Sequence, residues 1–188
     1  SYEIESAPIA EVIIEGRIYI NFYSNSFLGI ADHPRIKEAM KKALDSYGTG
    51  VASARLVAAP YVHRQLEERI ADFKHREAAV VFSAGMFVNL GVIPALASPP
   101  LRRMMNSLGE GETQSSPGST TIFVDEFCHS CIFDGVALSI RNLWGGQRAR
   151  AHVYNHLDMI DLRRKLEADK SEQKVIVTDG VFSVHGHV

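Results

Sequence analysis

Short, continuously apolar runs alternate along this chain with segments of helical periodicity, and this alternation limits the fold more than any other feature. The clearest runs are AAVVFS (78–83), TIFVD (121–125) and VIVTDG (175–180), and RAHVYN (150–155) is a further strand candidate. Strands that are apolar on both sides of the pleat are buried on both faces. When helices separate such strands, the pattern predicts an α/β fold with a mainly parallel sheet between helical layers.

The helical segments carry apolar residues three and four positions apart, which is the spacing of one buried helix face. We expect helices within residues 33–48, 62–77, 83–97, 132–141 and 157–170. RIYINFYS (17–24) alternates apolar and polar residues, which is typical of a strand. Residues 98–120 are rich in Pro, Gly and Ser, and we expect a surface loop there.

The composition narrows the class of protein. Hydrophobic residues make up 46% of the chain and charged residues 22%, with a net charge of -2, which argues against nucleic acid or an acidic membrane as the main partner. No apolar run reaches the roughly 18 residues of a membrane span, and the opening residues lack the pattern of a signal peptide. We therefore expect a globular, cytoplasmic protein.

Cys128 and Cys131 form a C-x-x-C pair, which raises the possibility of zinc or thiol redox chemistry. A structural zinc site needs four ligands, normally from two pairs, and the chain has no second C-x-x-C. The histidines available to complete a site are not tied to the cysteines by spacing. We therefore expect no metal, and we expect both sulfurs to pack at the start of a helix.

Polar or small residues follow three of the predicted strands. In α/β sheets, ligands bind beyond the carboxyl ends of the strands. Gly85, His129 and Ser183 each follow an apolar run, so they are the candidate ligand-binding residues. A glycine that opens a helix after a strand also leaves backbone N–H groups free to bind an anion such as phosphate. Taken alone, each of these residues has an ordinary structural use as a turn former or helix cap.

Six motifs together resemble, in order, those of the α-oxoamine synthases, which are pyridoxal 5′-phosphate enzymes of fold type I. The matching segments are NFYSNSFLGIADHP (21–34), YGTG with SARL (47–56), HRQLEERIADF (63–73), FSAGMFVN (82–89), VDEFCHSCIFDG (124–135) and VTDGVFSVHGHV (177–188). The resemblance extends from about residue 19 to the end of the chain. It corresponds to the first half of a family member.

The resemblance implies the large domain of the fold type I transferases, in truncated form. Residues 1–47 would be an N-terminal arm and helix, and residues 48–188 the first part of the domain that binds pyridoxal 5′-phosphate. The family condenses an amino acid with an acyl-CoA or acyl-carrier thioester and releases carbon dioxide. Its members work as homodimers with active sites at the subunit interface, so the resemblance also implies a homodimer.

The resemblance also assigns roles to individual residues. Gly85 and Met86 match the pair whose backbone contacts the cofactor phosphate. His129 matches the histidine that stacks on the pyridine ring and helps to position the substrate, which makes it the expected catalytic residue. Ser183 matches a serine that contacts the cofactor, and Asn25 matches a residue near the substrate carboxyl group.

Four segments depart from the family pattern, and one of them is the loop at 98–120, which is longer than usual. LVAAPYVH (56–63) replaces a segment that usually carries Gly-Thr, NHLD (155–158) replaces the usual H-N-D, and SVHGH (183–187) has histidines where the family has two carboxylates. The altered segments 56–63 and 183–187 favour an alternative, a non-catalytic homologue that serves as a subunit or scaffold partner. Retention of His129 and Ser183 favours the enzyme.

The family's Schiff-base lysine and the aspartate that pairs the pyridine nitrogen have no counterparts in these 188 residues. Without them the cofactor is neither attached nor an effective electron sink. We therefore expect the 188-residue chain alone to show no condensation activity and no visible cofactor band. Assays of carbon dioxide release and absorbance on the isolated chain check this, and robust turnover would contradict it.

Overall fold

The computed structural model describes residues 2–97, 119–141 and 149–188. The chain divides into two compact units, residues 1–81 and 82–188. Residues 48–81, which the resemblance assigned to the large domain, belong to the first unit, and the predicted boundary after residue 47 stays a prediction. The predicted loop at 98–120 lies outside the described residues except at its end, where Thr120 is buried and already part of a strand.

The first unit begins with a hairpin of two antiparallel strands, β1 (Glu11–Ile14) and β2 (Arg17–Ile20). Glu15 and Gly16 connect them, both at positive φ (50° and 69°), which is the backbone of a two-residue turn whose twist matches its strands. The sequence predicted the strand at β2 but not its partner β1. Glu15-Gly16 is a two-residue link that ends in glycine and lies between two apolar runs, and this pattern could have predicted the hairpin.

Two amphipathic helices complete this unit as predicted. Helix α1 (Pro34–Tyr47) is capped by His33, whose Nδ1 accepts a hydrogen bond from the Arg35 N–H at 3.2 Å. Helix α2 (Tyr61–Lys74) ends at His75, which adopts the left-handed conformation with φ 52°.

AAVVFS does not form the predicted buried strand. Its residues pair with no strand of the described chain, and the Val80 side chain is 68% exposed. A strand needs a neighbouring strand for its backbone groups. The backbone of Val81 instead bonds to side chains. Its N–H donates to the Glu67 carboxylate at 2.8 Å, and its carbonyl oxygen accepts from the Arg55 guanidinium at 2.8 Å. Gly85 therefore does not follow a strand end in this structure.

The second unit has the predicted α/β order. Its elements are α3 (Gly85–Ala97), β3 (Thr120–Asp125), α4 (Ser130–Arg141), β4 (Arg150–Tyr154), α5 (Met159–Ala168) and β5 (Gln173–Val177). The three strands form a parallel sheet in the order β4-β3-β5, with Val124 beside Val153 on one side and Val177 on the other. The parallel sheet predicted from the apolar runs is confirmed.

Helices cover both faces of this sheet. Ile122 and Val124 of β3 pack in one hydrophobic cluster with residues of α3 and α4, whereas Phe123 packs in a second cluster with Tyr154 and with Leu162 of α5. Every residue of β3 is buried, as expected for the central strand of three layers. None of the described helices is long and apolar enough to cross a membrane.

Helices α3 and α4 approach so closely that only glycine fits at the crossing point. A Cβ atom on Gly135 would lie 2.5 Å from the Asn89 carbonyl oxygen and 3.0 Å from Ile93. The Asn89 side chain contacts Cys131, one turn before Gly135, whereas Ile93, one turn after Asn89, lies near Gly135. The contacts therefore advance along both helices in the same direction, and the N-terminal turns of the two helices lie at the same end of the pair. Gly135 thus holds together two of the elements that carry predicted site residues.

We expect Gly135→Ala to destabilise the protein by about 1–3 kcal/mol, because overpacking against a backbone atom forces the two helices apart. Urea unfolding measures this change. The matched control is Gly91→Ala on α3, whose Cβ would meet the Phe82 ring at 3.3 Å, a side chain that can shift. Equal midpoints for the two variants would contradict the expectation.

Candidate active site

The segments that follow β3 and β5 meet at the carboxyl edge of the sheet. These strands are neighbours, so their ends deliver the loops 126–129 and 178–187 to the same place. The backbone N–H of His129 donates to the Asp179 carboxylate at 2.8 Å. The main chain at His129 is therefore fixed by a residue 50 positions later in the sequence.

His129 caps the N-terminus of α4. Its Nδ1 accepts a hydrogen bond from the Cys131 backbone N–H at 3.2 Å, and the Cys131 thiol lies 2.9 Å from the same nitrogen. Because Nδ1 accepts, a neutral ring carries its proton on Nε2. The residue is exposed, so one ring edge is committed to the helix while the rest of the ring is available to a ligand.

Cys131 also contacts α3. The Asn89 side-chain amide donates to the Cys131 sulfur at 3.0 Å, close to the N-terminal turns of both helices. Gly85 and Met86 occupy the first turn of α3, and their N–H groups find no acceptor among the described residues. The structure therefore brings Gly85 and Met86 to the same end of the helix pair as His129.

The two cysteines behave differently. Cys128 is buried in the hydrophobic cluster beneath α4, and burial raises the pKa of its thiol to about 11. This confirms the prediction that Cys128 packs. Cys131 is only half-buried, and its polar contacts with His129 and Asn89 go beyond the packing role expected for it. Both thiols are free, and within the described ranges no cluster of His, Cys, Asp or Glu is arranged to hold a metal ion.

Ser183 lies in a compact turn after β5. The Gly186 N–H donates to the Phe182 carbonyl oxygen at 2.8 Å, and the Phe182 N–H donates to that of His187 at 2.9 Å, which closes the turn. The Ser183 side chain is exposed and forms no hydrogen bond with any described residue. Asn25 belongs to the first unit, where it lies exposed in a loop.

A second group of polar residues at this edge escaped the sequence interpretation. Asp125, the last residue of β3, is fully buried, and its carboxylate accepts hydrogen bonds from the N–H groups of Phe127 and Leu157 at 2.9 Å each. It also lies 2.8 Å from His156 Nδ1. Because a carboxylate only accepts, His156 donates from Nδ1.

His156 also contacts His187, in the loop after β5. Its Nε2 lies 2.8 Å from Nδ1 of His187, and the two rings stack with centroids 5.0 Å apart. The Phe127 ring stacks on that of His156 with centroids 4.4 Å apart, and it lies tilted against the His185 ring at 4.8 Å. The histidines of the divergent SVHGH and NHLD segments are therefore in contact, which their separation of about 30 residues concealed.

Burial acts to raise the pKa of Asp125, but hydrogen bonds from the Leu157 and Phe127 N–H groups and from His156 outweigh it and hold the pKa below its ordinary value. The carboxylate is thus ionised at neutral pH and connects three segments of chain.

Comparisons with known proteins agree with this architecture. A family model described as aminotransferase class I and II matches residues 17–188. The chain is 39% identical to an 8-amino-7-oxononanoate synthase of Symbiobacterium thermophilum over 189 residues, covering 99% of this chain and 41% of that protein. It is 40% identical to the enzyme of that name from Geotalea daltonii over 186 residues, covering 97% and 40%.

A solved structure is also similar. It is a serine palmitoyltransferase from S. paucimobilis with bound PLP–myriocin aldimine, with a TM-score of 0.79 and 26% identity; the match covers all of this chain and 41% of the other. The structural match agrees with the predicted fold type I large domain. The chain spans about two fifths of the length of the relatives that it matches.

We expect Asp125→Asn to destabilise the protein by about 1–3 kcal/mol at pH 7, because an amide cannot accept all three hydrogen bonds that the buried carboxylate accepts. The folded-state pKa of Asp125 is depressed, so the carboxylate contributes stability above the unfolded pKa and loses it as the pH falls through the folded value. The difference from wild type should therefore shrink below about pH 4.

Urea unfolding between neutral and acidic pH measures this dependence. The control is Asp134→Asn, the same chemical change at an exposed position on α4. An unchanged difference across the whole pH range would contradict the assigned role of the charge.

Proposed function

The chain belongs to the class I and II aminotransferase family, and we propose that it forms part of a pyridoxal 5′-phosphate-dependent α-oxoamine synthase. Such an enzyme condenses an amino acid with an acyl-CoA or acyl-carrier thioester and releases carbon dioxide. One observation supports the proposal: Asn89 contacts Cys131 near the start of both helices, so the free N–H groups of α3 and the exposed, oriented imidazole of His129 lie at the same end of the helix pair. The names of the relatives support the same reaction class.

The residues present fit the phosphate of this cofactor. The first N–H groups of a helix carry partial positive charge and bind anions. A Cβ atom added to Gly85 would meet nothing within 4 Å, so the space beside the first turn of α3 is open. We assign the Gly85 and Met86 N–H groups to the phosphate, and this assignment uses only the backbone of Met86.

The remaining assignments concern the cofactor ring and the substrate. When bound, pyridoxal 5′-phosphate supplies an electron sink for charge that develops on the substrate carbon. His129 would cover one ring face with its imidazole while Nε2–H donates a hydrogen bond toward the substrate. Ser183, whose hydroxyl is exposed, would donate to the cofactor, and we assign Asn25 to the substrate carboxyl group from the resemblance alone.

The second candidate function is that of a non-catalytic subunit. It is favoured by the histidines that replace two carboxylates in SVHGH, because at least His187 is used here for a contact with His156. The two candidates differ in whether the full-length protein binds the cofactor and turns over.

The proposal includes a cytoplasmic homodimer that uses amino acid and acyl thioester substrates, without nucleic acid or a membrane as partner. The first unit exposes large apolar side chains, including Phe22 (94%), Tyr23 (97%) and Leu56 (99%). Surfaces of this kind are normally covered by further protein. The free thiols suit a reducing compartment.

We expect the full-length protein to show a visible absorbance band with pyridoxal 5′-phosphate, and we expect one amino acid to shift it. His129→Asn keeps a side-chain oxygen that can cap α4 but removes the ring. It should weaken cofactor binding by about threefold to tenfold, corresponding to the roughly 0.5–1.5 kcal/mol of an aromatic contact. Titration of the band with cofactor measures this.

The matched control is His33→Asn, because His33 caps α1 through the same type of contact with a backbone N–H. Its affinity should equal that of wild type. Absence of the band in the full-length protein would reject the enzyme in favour of the non-catalytic subunit. Equal losses in both variants would reject the role of the His129 ring.

A further inference from the structure

Asn89, Cys131 and His129 form a directed series of hydrogen bonds across two helices. The Asn89 amide donates to the Cys131 sulfur at 3.0 Å, and the sulfur lies 2.9 Å from His129 Nδ1. An amide nitrogen can only donate, so the sulfur accepts from Asn89. The Cys131 backbone N–H donates to Nδ1, which therefore carries no proton, so the hydrogen between Nδ1 and the sulfur belongs to the thiol. With the Cys131 backbone N–H also donating, Nδ1 accepts twice.

This arrangement determines which edge of the His129 ring remains for a ligand. Two donors at Nδ1 exclude a proton there, so the neutral ring carries its proton on Nε2. The Asp179 carboxylate fixes the backbone N–H of the same residue at 2.8 Å. The backbone of His129 and one edge of its ring are thus both restrained, and the free edge has a defined hydrogen-bond donor.

The side chain of Cys131 contributes something that the helix cap alone does not. His33 caps α1 by accepting one backbone N–H, at 3.2 Å, and its neighbours offer no side-chain donor to that nitrogen among the described residues. His129 has the same backbone contact and a thiol in addition. Asn89 holds this thiol from the opposite helix, beside the point where Gly135 allows close approach.

We propose that Cys131 and Asn89 are positioning residues that hold the His129 ring in its Nε2–H form and in one orientation. They act through His129 and do not touch the cofactor or the substrate. The value of this restraint for ligand binding rests on the proposed function, whereas the restraint itself is a property of the protein without ligand.

The first test reads the histidine ring directly in the full-length protein without cofactor. Histidine-selective ¹⁵N NMR distinguishes a proton on Nε2 from one on Nδ1, and the His129 signal is the one that His129→Asn removes. We expect the Nε2–H form in wild type and in Cys131→Ser, whose hydroxyl can accept and donate as the thiol does. Cys131→Ala and Asn89→Ala should raise the Nδ1–H fraction or average the ring signals.

The second test is a double-mutant cycle on cofactor affinity, read from absorbance. Because Asn89 acts through Cys131, the pair Asn89→Ala with Cys131→Ala should lose no more affinity than Cys131→Ala alone, whereas independent structural roles would add. We expect each single alanine variant to lose about threefold to tenfold, the range expected for the ring contact itself. Cys131→Ser should recover most of the loss, and circular dichroism confirms that each variant is folded.

The outcomes separate the two proposals. If wild type binds no cofactor while the ring signals respond as expected, the proposed function fails and the positioning role stands. If Cys131→Ala leaves the wild-type ring signals unchanged, or if the losses in affinity add, the positioning role is overturned whatever the cofactor does.

Discussion

The buried carboxylate of Asp125 is the interaction on which the carboxyl edge of the sheet depends. A charge without water around it is tolerated only when hydrogen bonds surround it. Asp125 receives three, from the loop after β3, from the loop after β4, and from the imidazole of His156. Through His156 it also reaches His187 after β5. One side chain therefore sets the relative positions of the ends of all three strands.

The central strand gives Asp125 this position. Because β3 lies between two parallel neighbours and under helices on both faces, its last residue is delivered to the interior. The loops that follow must then turn toward the carboxylate, which brings His129 to the start of α4. The hydrophobic pattern of a single strand thus leads, through burial of one charge, to the location of the candidate site.

The sequence predicted the helices and strands better than it predicted the contacts between distant side chains. Periodicity located the five helices of the described residues, and apolar runs located β3, β4 and β5, because these signals are local. The strand predicted at AAVVFS (78–83) was wrong, because a strand forms only beside a partner strand and no local pattern reveals that partner. His156 and His187 were visible as departures from a motif, yet their contact joins segments 31 residues apart. Cys131 was expected only to pack, since nothing local indicated that Asn89 would approach it from another helix.

The close approach at Gly135 has a consequence for the entropy of binding. The contact there involves backbone, which has no side-chain rotamers to lose, so the first turns of α3 and α4 are already ordered relative to each other. A ligand that uses both turns need not freeze that arrangement, and the conformational cost of binding falls accordingly. Because Gly135 lacks a side chain, the two helices pack closely, and this packing preorganises their first turns for a ligand.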